Sequence, residues 1–369
     1  MAAAEHPLYR YLRVEYDVGV ALPVPRASLG LMATLRAWVA AGHEPVVALC
    51  ADVCHDVVAA VLGANCRPLF LDLDPATGEV ASQEWARARA GGASVALVVH
   101  LYGNPADVAT ARVHFPPGRC LLIDDAAQAL GVRSGGKPAG SLGDVGLLSF
   151  GPTKHIEAGG AAVLVNSVEF AASVQRHLAA IPQLPEAEAA ELRARFRRGL
   201  EISRARLRTE GDAGAEAFAG LLDGYPPALG AMMPQGSADA VWREMQDYDL
   251  ARRQRCAKAA AWACGLFDTG FLAVGMGKDA VPWRYACRLP GTDWAMQHRL
   301  AEAMRARRLD VSHWYLPAHW MCGAAAGSLP GVERLAREIF QFWVDADTRL
   351  ESISDGAAAV AAVLRESRQ

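Results

Sequence analysis

The stretch LLIDDAAQALGVRSGGKPAGSLGDVGLLSFGPTKHIEAGGAAVLVN, residues 121–166, decides the fold because it sets two acids and a lysine at the ends of apolar runs. Residues 121–123 form a short apolar run that Asp124 and Asp125 follow, which favours a buried strand. In open α/β sheets the carboxyl ends of strands line the ligand crevice, so both carboxylates are candidate site residues. Residues 126–130 predict a helix start, and simple helix capping would also explain the acids.

A second apolar run, residues 145–150, leads through a loop with Lys154 and two glycines to a third run, residues 161–165. This pattern predicts strand, loop and strand. Lysine is not the usual surface cation of this chain, because only Lys137, Lys154, Lys258 and Lys278 are lysines among 37 lysines and arginines. Loss of solvation near apolar strands favours the neutral, nucleophilic amine that a Schiff base needs. By position alone, a solvated loop lysine is the favoured interpretation, and the motifs described below change that.

Alternating strand and helix patterns on both sides of this stretch predict an α/β fold with a mostly parallel sheet. We predict an N-terminal arm over residues 1–25, a large domain over residues 26–240 and a smaller C-terminal α/β domain over residues 241–369. In the large domain, strands are expected at 46–49, 69–73 and 95–99, and helices at 28–41, 57–62 and within 167–222. A further helix is expected at 237–259, across the boundary between the two domains. In the small domain, strands are expected at 283–289 and around 311, and helices at 293–307, 332–339 and 354–364.

Length and charge exclude several classes of protein. The 369 residues, 52% of them hydrophobic, are enough for two domains, and a net charge of −3 offers no electrostatic case for nucleic acid or anionic membranes. Without a leader or a run of membrane-spanning length, we expect a cytoplasmic protein. The eight scattered cysteines suit reduced thiols, and Cys50, Cys54 and His55 lack a second ligand pair, so no metal site is predicted. Neither a GxGxxG nor a GxxxxGK[ST] motif occurs, which disfavours dehydrogenases and NTPases.

Several motifs, in this order along the chain, together resemble the DegT/StrS-type sugar aminotransferases. They are PLFLDLD at 68–74, HLYGNP at 100–105, IDDAAQ at 123–128, GSLGD at 140–144, SFGPTK at 149–154, the glycine pair at 159–160 and HWYLPAH at 313–319. The likeness covers roughly residues 26–360. It implies the three-layer fold type I of the aspartate aminotransferase superfamily, the cofactor pyridoxal 5'-phosphate (PLP), and a homodimer with the site at its interface.

The resemblance also implies roles for individual residues. Lys154 would hold PLP as an internal aldimine and then move a proton between the substrate α-carbon and the cofactor. Asp125 would keep the pyridine nitrogen protonated and so make the ring an electron sink. Gln128 matches the residue that contacts the ring hydroxyl, and Ser149 matches one that binds the phosphate. Asp124 would at most cap a helix.

Further candidates come from the first helix of the large domain and from loops. Ser28, a possible N-cap, with Leu29 and Gly30 would cradle the phosphate. Relatives stack an aromatic residue on the ring, but none occurs between Trp38 and Phe70, so Cys54 or His55 would cover it. The asparagine that in relatives reaches the neighbouring subunit's phosphate is absent, its place falling near Gly230. The residues expected at the substrate are Tyr102, His313 and His319, with Trp314 and Trp320 either stacking or packing.

The implied reaction is a ping-pong transamination from an amino acid, by resemblance glutamate, to a keto sugar, by resemblance one carried on a nucleotide. A PLP-dependent sugar dehydratase or lyase on the same scaffold is an alternative, although such relatives replace the lysine by histidine and Lys154 is present here. A catalytically silent binding or regulatory homologue is the other alternative, because the stacking aromatic and the phosphate asparagine are missing.

Overall fold

The computed structural model describes residues 5–230, 232–313 and 315–367. Two sheets with helices packed around them make up this part of the chain. The α-helices are α1 Pro7–Glu15, α2 Ala27–Ala40, α3 His55–Gly63, α4 Ser82–Ala90, α5 Val108–His114, α6 Val168–Ala179, α7 Glu186–Glu210, α8 Ser237–Gln246, α9 Tyr248–Gly265, α10 Trp294–Ala306, α11 Ala318–Met321, α12 Pro330–Glu338 and α13 Ser352–Ser367. Short 3₁₀ helices cover Leu101–Gly103, Gly211–Phe218 and Pro226–Leu229.

The central sheet has seven strands in the order β1-β9-β8-β5-β4-β2-β3. These are β1 Val20–Val24, β2 Val46–Cys50, β3 Arg67–Leu71, β4 Val95–Val99, β5 Leu121–Asp125, β8 Val145–Ser149 and β9 Ala161–Val165. The pairs from β3 to β8 are parallel, whereas β9 is antiparallel to both β8 and β1. The predicted α/β fold with a mostly parallel central sheet is confirmed. β2, β5 and β9 are buried along their whole length, as expected for strands covered on both faces.

The second sheet is antiparallel and has the order β10-β11-β13-β12, formed by β10 Leu272–Ala273, β11 Tyr285–Arg288, β13 Ile339–Phe342 and β12 Val311–Ser312. Its core is an apolar cluster with α9, α10 and α13 that includes Trp262, Phe340 and Phe342. A separate two-stranded ribbon joins β6 Arg133–Ser134 to β7 Lys137–Pro138. None of the described helices combines the length and apolar character needed to cross a membrane.

The acidic strand end differs from the prediction, because no helix follows Asp125. Residues 126–132 form turns that lead into β6. The Ala126 N–H donates to Leu147 O at 3.0 Å, and the Ala127 N–H donates to Asp125 Oδ1 at 2.9 Å. The segment then closes two tight turns, in which the Ala129 N–H donates to Ala126 O at 2.9 Å and the Val132 N–H donates to Ala129 O at 3.0 Å. The predicted helix at 126–130 is therefore wrong, and so is helix capping by the two acids.

The N-terminal segment is built into the large sheet more deeply than an arm would be. Strand β1 pairs with β9 over residues 20–24, and α1 packs its Leu8 and Leu12 into the apolar cluster beneath that edge. The short apolar run 20–24 pairs with β9, which would otherwise be an exposed sheet edge.

Three helix boundaries also differ. Helix α2 begins at Ala27 after Arg26, which makes no side-chain capping bond, so Ser28 lies inside the first turn and its prediction as N-cap is wrong. The expected helix 237–259 is divided at Asp247 into α8 and α9. The expected helix 332–339 ends at Glu338, where strand β13 begins.

Candidate active site

A cavity of about 850 Å³ lies at the carboxyl edge of the central sheet. Because β1, β2, β5 and β8 run in the same direction, the segments that follow them meet at this edge. The cavity is lined by the following residues from these segments: Pro25–Ser28 after β1, Val53–Val57 after β2, Asp125 and Ala127 at the end of β5, and Ser149 and Gly151–Lys154 at the end of β8. The second sheet, the helices α7 and α10 and several loops supply other parts of the wall.

Asp125 and Lys154 both line this cavity. Asp125 is 4% exposed. Among the described residues, its carboxylate accepts one hydrogen bond, from the Ala127 N–H to Oδ1 at 2.9 Å. Burial raises the pKa of this carboxyl, and the nearby positive charge of Lys154 partly opposes that rise. A buried carboxylate with one oxygen left for a further donor can hold a protonated ring nitrogen.

Asp124 has a structural role on the opposite side of the strand. Its Oδ1 accepts from His100 Nε2 at 2.6 Å, and its Oδ2 accepts from the Gly140 and Leu142 N–H groups at 2.7 and 2.9 Å. His100 Nδ1 accepts from the Ala106 N–H at 2.8 Å, which leaves Nε2 as the protonated nitrogen. Asp124 therefore links β5 to the loop after β4 and to the connection that leads into β8.

The N-terminus of α2 faces the cavity through Ala27 and Ser28, and Ser149 lines the cavity from the end of β8. First-turn N–H groups of a helix have no intrahelical partner and favour an anion such as phosphate. Leu29 and Gly30 do not line the cavity. Gly30 packs on the sheet instead, because a Cβ there would lie 2.4 Å from Val163 Cγ2.

Cys54 and His55 line the cavity at the start of α3. The His55 ring stacks on Phe196 of α7 with centroids 4.3 Å apart, and burial lowers its pKa. Asp56 pairs with Arg26 and accepts from the Tyr225 hydroxyl at 2.8 Å. Cys54, His55 and Asp56 have ligand atoms within 4.8 Å of one another, but the Asp56 carboxylate already has these two partners.

Gln128 and Tyr102 are buried behind the cavity wall rather than in its lining. Gln128 Oε1 accepts from the Tyr102 N–H at 2.9 Å, and its Nε2 donates to the hydroxyl of Tyr315, which does line the cavity. The Tyr102 hydroxyl donates to Asp52 Oδ2 at 2.5 Å. Burial raises the pKa of Asp52 to about 6. Tyr102 thus packs and bonds inside the protein, and Gln128 positions Tyr315.

The two predicted substrate histidines do not line the cavity either. His319 is 1% exposed and pairs through Nε2 with Glu333 Oε1 at 3.0 Å. His313 Nδ1 lies 3.1 Å from Arg305 Nη2, and burial with this and other cationic neighbours lowers its pKa to about 3. Trp320 is a buried core residue, whereas Trp314 lies outside the described residues. Neither histidine reaches the cavity, since both are held by charged neighbours.

Sequence reasoning missed the cationic part of the lining. Helices α7 and α10 contribute Arg197, Arg204 and Arg305, and the second sheet contributes Arg284, Trp283 and Trp343. The charge pattern of α7 predicts a solvated helix face. Periodicity alone does not show which face of a helix packs against the rest of the protein. For Arg284 the sequence did contain a signal. A cation within the predicted strand 283–289 would lose its solvation on folding, and that loss is costly unless a partner compensates it.

A mostly parallel central sheet, with a lysine and a buried carboxylate in one cavity at its carboxyl edge, defines the class of fold type I PLP enzymes. The chain belongs to the DegT/DnrJ/EryC1/StrS aminotransferase family, whose family model matches residues 3–354. PLP is therefore its cofactor. The cavity fits PLP, because a carboxylate with a spare acceptor, an amine and a helix N-terminus all line it.

Individual relatives are more distant. The chain is 27% identical over 345 residues to the dTDP-3-amino-3,4,6-trideoxy-alpha-D-glucose transaminase of Micromonospora megalomicea subsp. nigra, covering 90% of this chain and 80% of that protein. It is 35% identical over 187 residues to the L-glutamine:2-deoxy-scyllo-inosose aminotransferase of Streptomyces lividus, covering 48% of this chain and 42% of the relative. The chain spans less than half the length of the first curated relatives that it matches. In structure it resembles Helicobacter pylori PseC, an aminotransferase of pseudoaminic acid biosynthesis, with a TM-score of 0.76, 13% identity and coverage of 97% and 90% of the two chains.

Proposed function

We propose that this protein is a PLP-dependent aminotransferase that moves an amino group from an amino acid to a keto sugar or keto cyclitol. The observation that carries the proposal is the placement of Lys154 and Asp125 in one cavity, with the charge of the lysine acting on the carboxyl. When bound, PLP supplies the electron sink that stabilises negative charge at the substrate α-carbon. The protein supplies the groups that hold it and move protons.

Lys154 would hold the cofactor covalently and, once released by the amino acid, would move the proton from the α-carbon. Its loop is fixed on the small-domain side, because Trp283 Nε1 donates to Thr153 O and the Lys154 amine lies 5.8 Å from the Trp283 ring centroid. Asp125 would keep the proton on the ring nitrogen. Its burial excludes water that would weaken this charge interaction.

The phosphate would bind at the N-terminus of α2, with Ser28 and Ser149 as hydrogen-bond donors. Arg26, the residue before this helix, lines the same part of the cavity and is paired there with Asp56. Cys54 or His55 would cover the ring face, because they follow β2 at the place where relatives carry an aromatic residue. Gln128 would act indirectly here, through its hydrogen bond to Tyr315.

The acceptor would be a keto sugar, and a nucleotide-linked one is supported by the charge of the lining. Arg197, Arg204 and Arg305 give the cavity several cations that suit phosphate groups. The relatives described above include a dTDP-sugar transaminase and an L-glutamine:2-deoxy-scyllo-inosose aminotransferase. Glutamate or glutamine is thus the proposed donor class, used in a ping-pong sequence in which donor and acceptor react in turn.

A homodimer with the site at its interface is also proposed. Met232 lines the cavity although its side chain is 68% exposed. A large apolar side chain at the mouth of a site is well suited to being covered by a second copy of the chain.

The covalent link to Lys154 is the direct test. Purified protein supplied with PLP should show a visible absorbance band that borohydride reduction fixes onto the peptide containing Lys154. Lys154→Ala should lose the band and all amino transfer from L-glutamine or L-glutamate. Lys137→Ala, which removes an exposed lysine of β7, should keep both. A colourless wild-type protein that takes up no PLP would overturn the proposal, and loss of water without net amino transfer would favour the lyase.

A further inference from the structure

Arg284 stands out among the lining residues because of how its guanidinium is held. Its Cζ lies 4.2 Å from the ring centroid of Trp283 and 3.6 Å from that of Trp343, so the cation is sandwiched between two indoles. The side chain is 6% exposed. Such stacking fixes the plane of the guanidinium and leaves its edge as the only direction for hydrogen bonds.

Protein partners do not use up this edge. Arg284 Nη1 donates to Gln341 Oε1 at 3.3 Å. Arg284 Nε has no hydrogen-bond partner among the described residues. Asp310, Asp345, Glu157 and Tyr315 act on Arg284 through charge, but no ion pair to it occurs in the described part of the chain. Burial lowers its pKa to about 10, which still leaves it charged near neutral pH. A desolvated cation without a bonded counter-ion is costly unless a ligand compensates it.

Other unpaired polar atoms surround it. Within the described residues, Ser312 Oγ, Gln341 Nε2 and Trp343 Nε1 are buried without hydrogen-bond partners. Ser312 pairs with Gln341 in the register of β12 and β13, and Ser312, Trp343 and Arg284 all line the cavity. Buried polar atoms in proteins are nearly always paired, so a cluster of unpaired ones needs an explanation. Here every member is able to donate, and an ionised carboxylate only accepts.

From this geometry, and resting on the proposed function, we propose that Arg284, with Ser312 and Trp343, binds the α-carboxylate of the amino-acid donor. The Lys154 amine lies 5.8 Å and the Arg284 Cζ lies 4.2 Å from the centroid of the same Trp283 ring. The α-carboxylate of an amino acid is bonded directly to the carbon that carries the amino group. A donor reacting at Lys154 therefore places its carboxylate near Arg284, whereas the phosphates of a nucleotide lie several bonds from the keto carbon of the sugar.

Binding of an unreactive dicarboxylate isolates this role. Holoenzyme is titrated with glutarate, which has the carboxylates of the donor but no amino group, and binding is followed by calorimetry. Arg284→Met should weaken glutarate binding by about 30-fold or more, the loss expected for charge-assisted bonds in a buried site. Arg284→Lys keeps the charge but loses the fork and should give an intermediate loss. Arg307→Gln, which breaks an exposed pair with Glu366, should leave binding unchanged.

The same variants are tested in the donor half-reaction, by mixing each holoenzyme with L-glutamate or L-glutamine and following the cofactor absorbance. Arg284→Met should slow this step by a similar factor, and borohydride labelling of Lys154 should remain as in wild type, which shows that the variant is folded. Equal glutarate binding by wild type and Arg284→Met would overturn the inference. The inference would also be overturned if Arg284→Met weakened the binding of inorganic phosphate but not that of glutarate. That result would assign the Arg284 guanidinium to the phosphates of the acceptor. Wild-type protein that binds glutarate through Arg284 but performs no half-reaction would instead contradict the proposed function.

Discussion

Two adjacent acids of almost identical burial have different roles because side chains alternate along a strand. Asp125 points to the cavity and Asp124 to the loop on the other side of β5, where three donors bind it. The pair by itself does not show which member faces the cavity, whereas the family resemblance assigns the cofactor to Asp125. In the structure Asp125 lines the cavity and Asp124 has its hydrogen bonds on the other side of the strand.

Asparagine at each of these positions should have a different effect. Asp125→Asn should lower the rate of the donor half-reaction by about 100-fold, since a neutral amide cannot hold the proton on the ring nitrogen. Its melting temperature should change little. Asp124→Asn should cost about 2 kcal/mol of stability, because either orientation of the amide sets an N–H group against the donors of His100, Gly140 or Leu142.

Single-turnover kinetics and thermal unfolding of both variants separate the two roles. The kinetic comparison should be made at saturating PLP, so that a change in cofactor affinity does not enter the rate. If Asp124→Asn slowed the chemical step as much as Asp125→Asn while remaining equally stable, the assignment of the two acids would be reversed.

At the scale of elements, the loop after β4 joins the large sheet to the segment that carries Trp283 and Arg284. Gly103 O accepts from the Val281 N–H at 2.9 Å, and Tyr102 O accepts from the Trp283 N–H at 3.0 Å. Gly103 has a φ of +86°, and a Cβ there would lie 2.0 Å from Val281 O. The close approach of these two backbones thus depends on glycine.

Gly103→Ala should therefore lower stability by about 1–3 kcal/mol more than a glycine replacement that causes no clash. Gly118→Ala is the matched control, because Gly118 also has a positive φ, +78°, but nothing lies within 4 Å of its added Cβ. Thermal unfolding of both variants measures the difference. The donor half-reaction should also slow in Gly103→Ala, because Trp283 and Arg284 would move with the loop. Equal destabilisation by the two replacements would show that the backbone contact is not tight.

At the scale of the whole molecule, the cavity lies between the central sheet and the second sheet, and α7 covers part of it. Phe196, Arg197, Leu200 and Arg204 of this 25-residue helix line the cavity, and Phe196 stacks on His55. The chain therefore supplies much of the wall itself. Met232 remains as a large exposed apolar residue at this site.

Met232→Glu should weaken self-association if a second copy covers this position. In light scattering coupled to gel filtration, we expect the wild-type protein to have the mass of a dimer. The variant should shift toward the mass of a monomer, because burying a carboxylate in an apolar contact is costly. Phe267→Glu is the control, since Phe267 is 81% exposed and does not line the cavity. A monomeric wild type, or a variant that stays as dimeric as Phe267→Glu, would contradict the proposed interface.

The sequence by itself determined the central-sheet strands other than β1, which lies in the predicted N-terminal arm, as well as the order of acid and lysine along the sheet and the family. Local apolar runs and motif spacing depend only on near neighbours in the chain, so 95–99 and 161–165 are strands with the predicted bounds. It could not show that residues 126–132 form turns, because Ala126 is tied to Leu147 of β8, a partner that is distant in the chain.

Tertiary structure alone decided which of the candidate residues reach the cavity. Tyr102, His313 and His319 are held by Asp52, Arg305 and Glu333, which lie far away in the sequence or on other elements, whereas Arg284, Trp343 and the α7 arginines come to the site. The physical reason is that a polar side chain goes to the partner that compensates its burial, and that partner is set by the packing of sheets and helices.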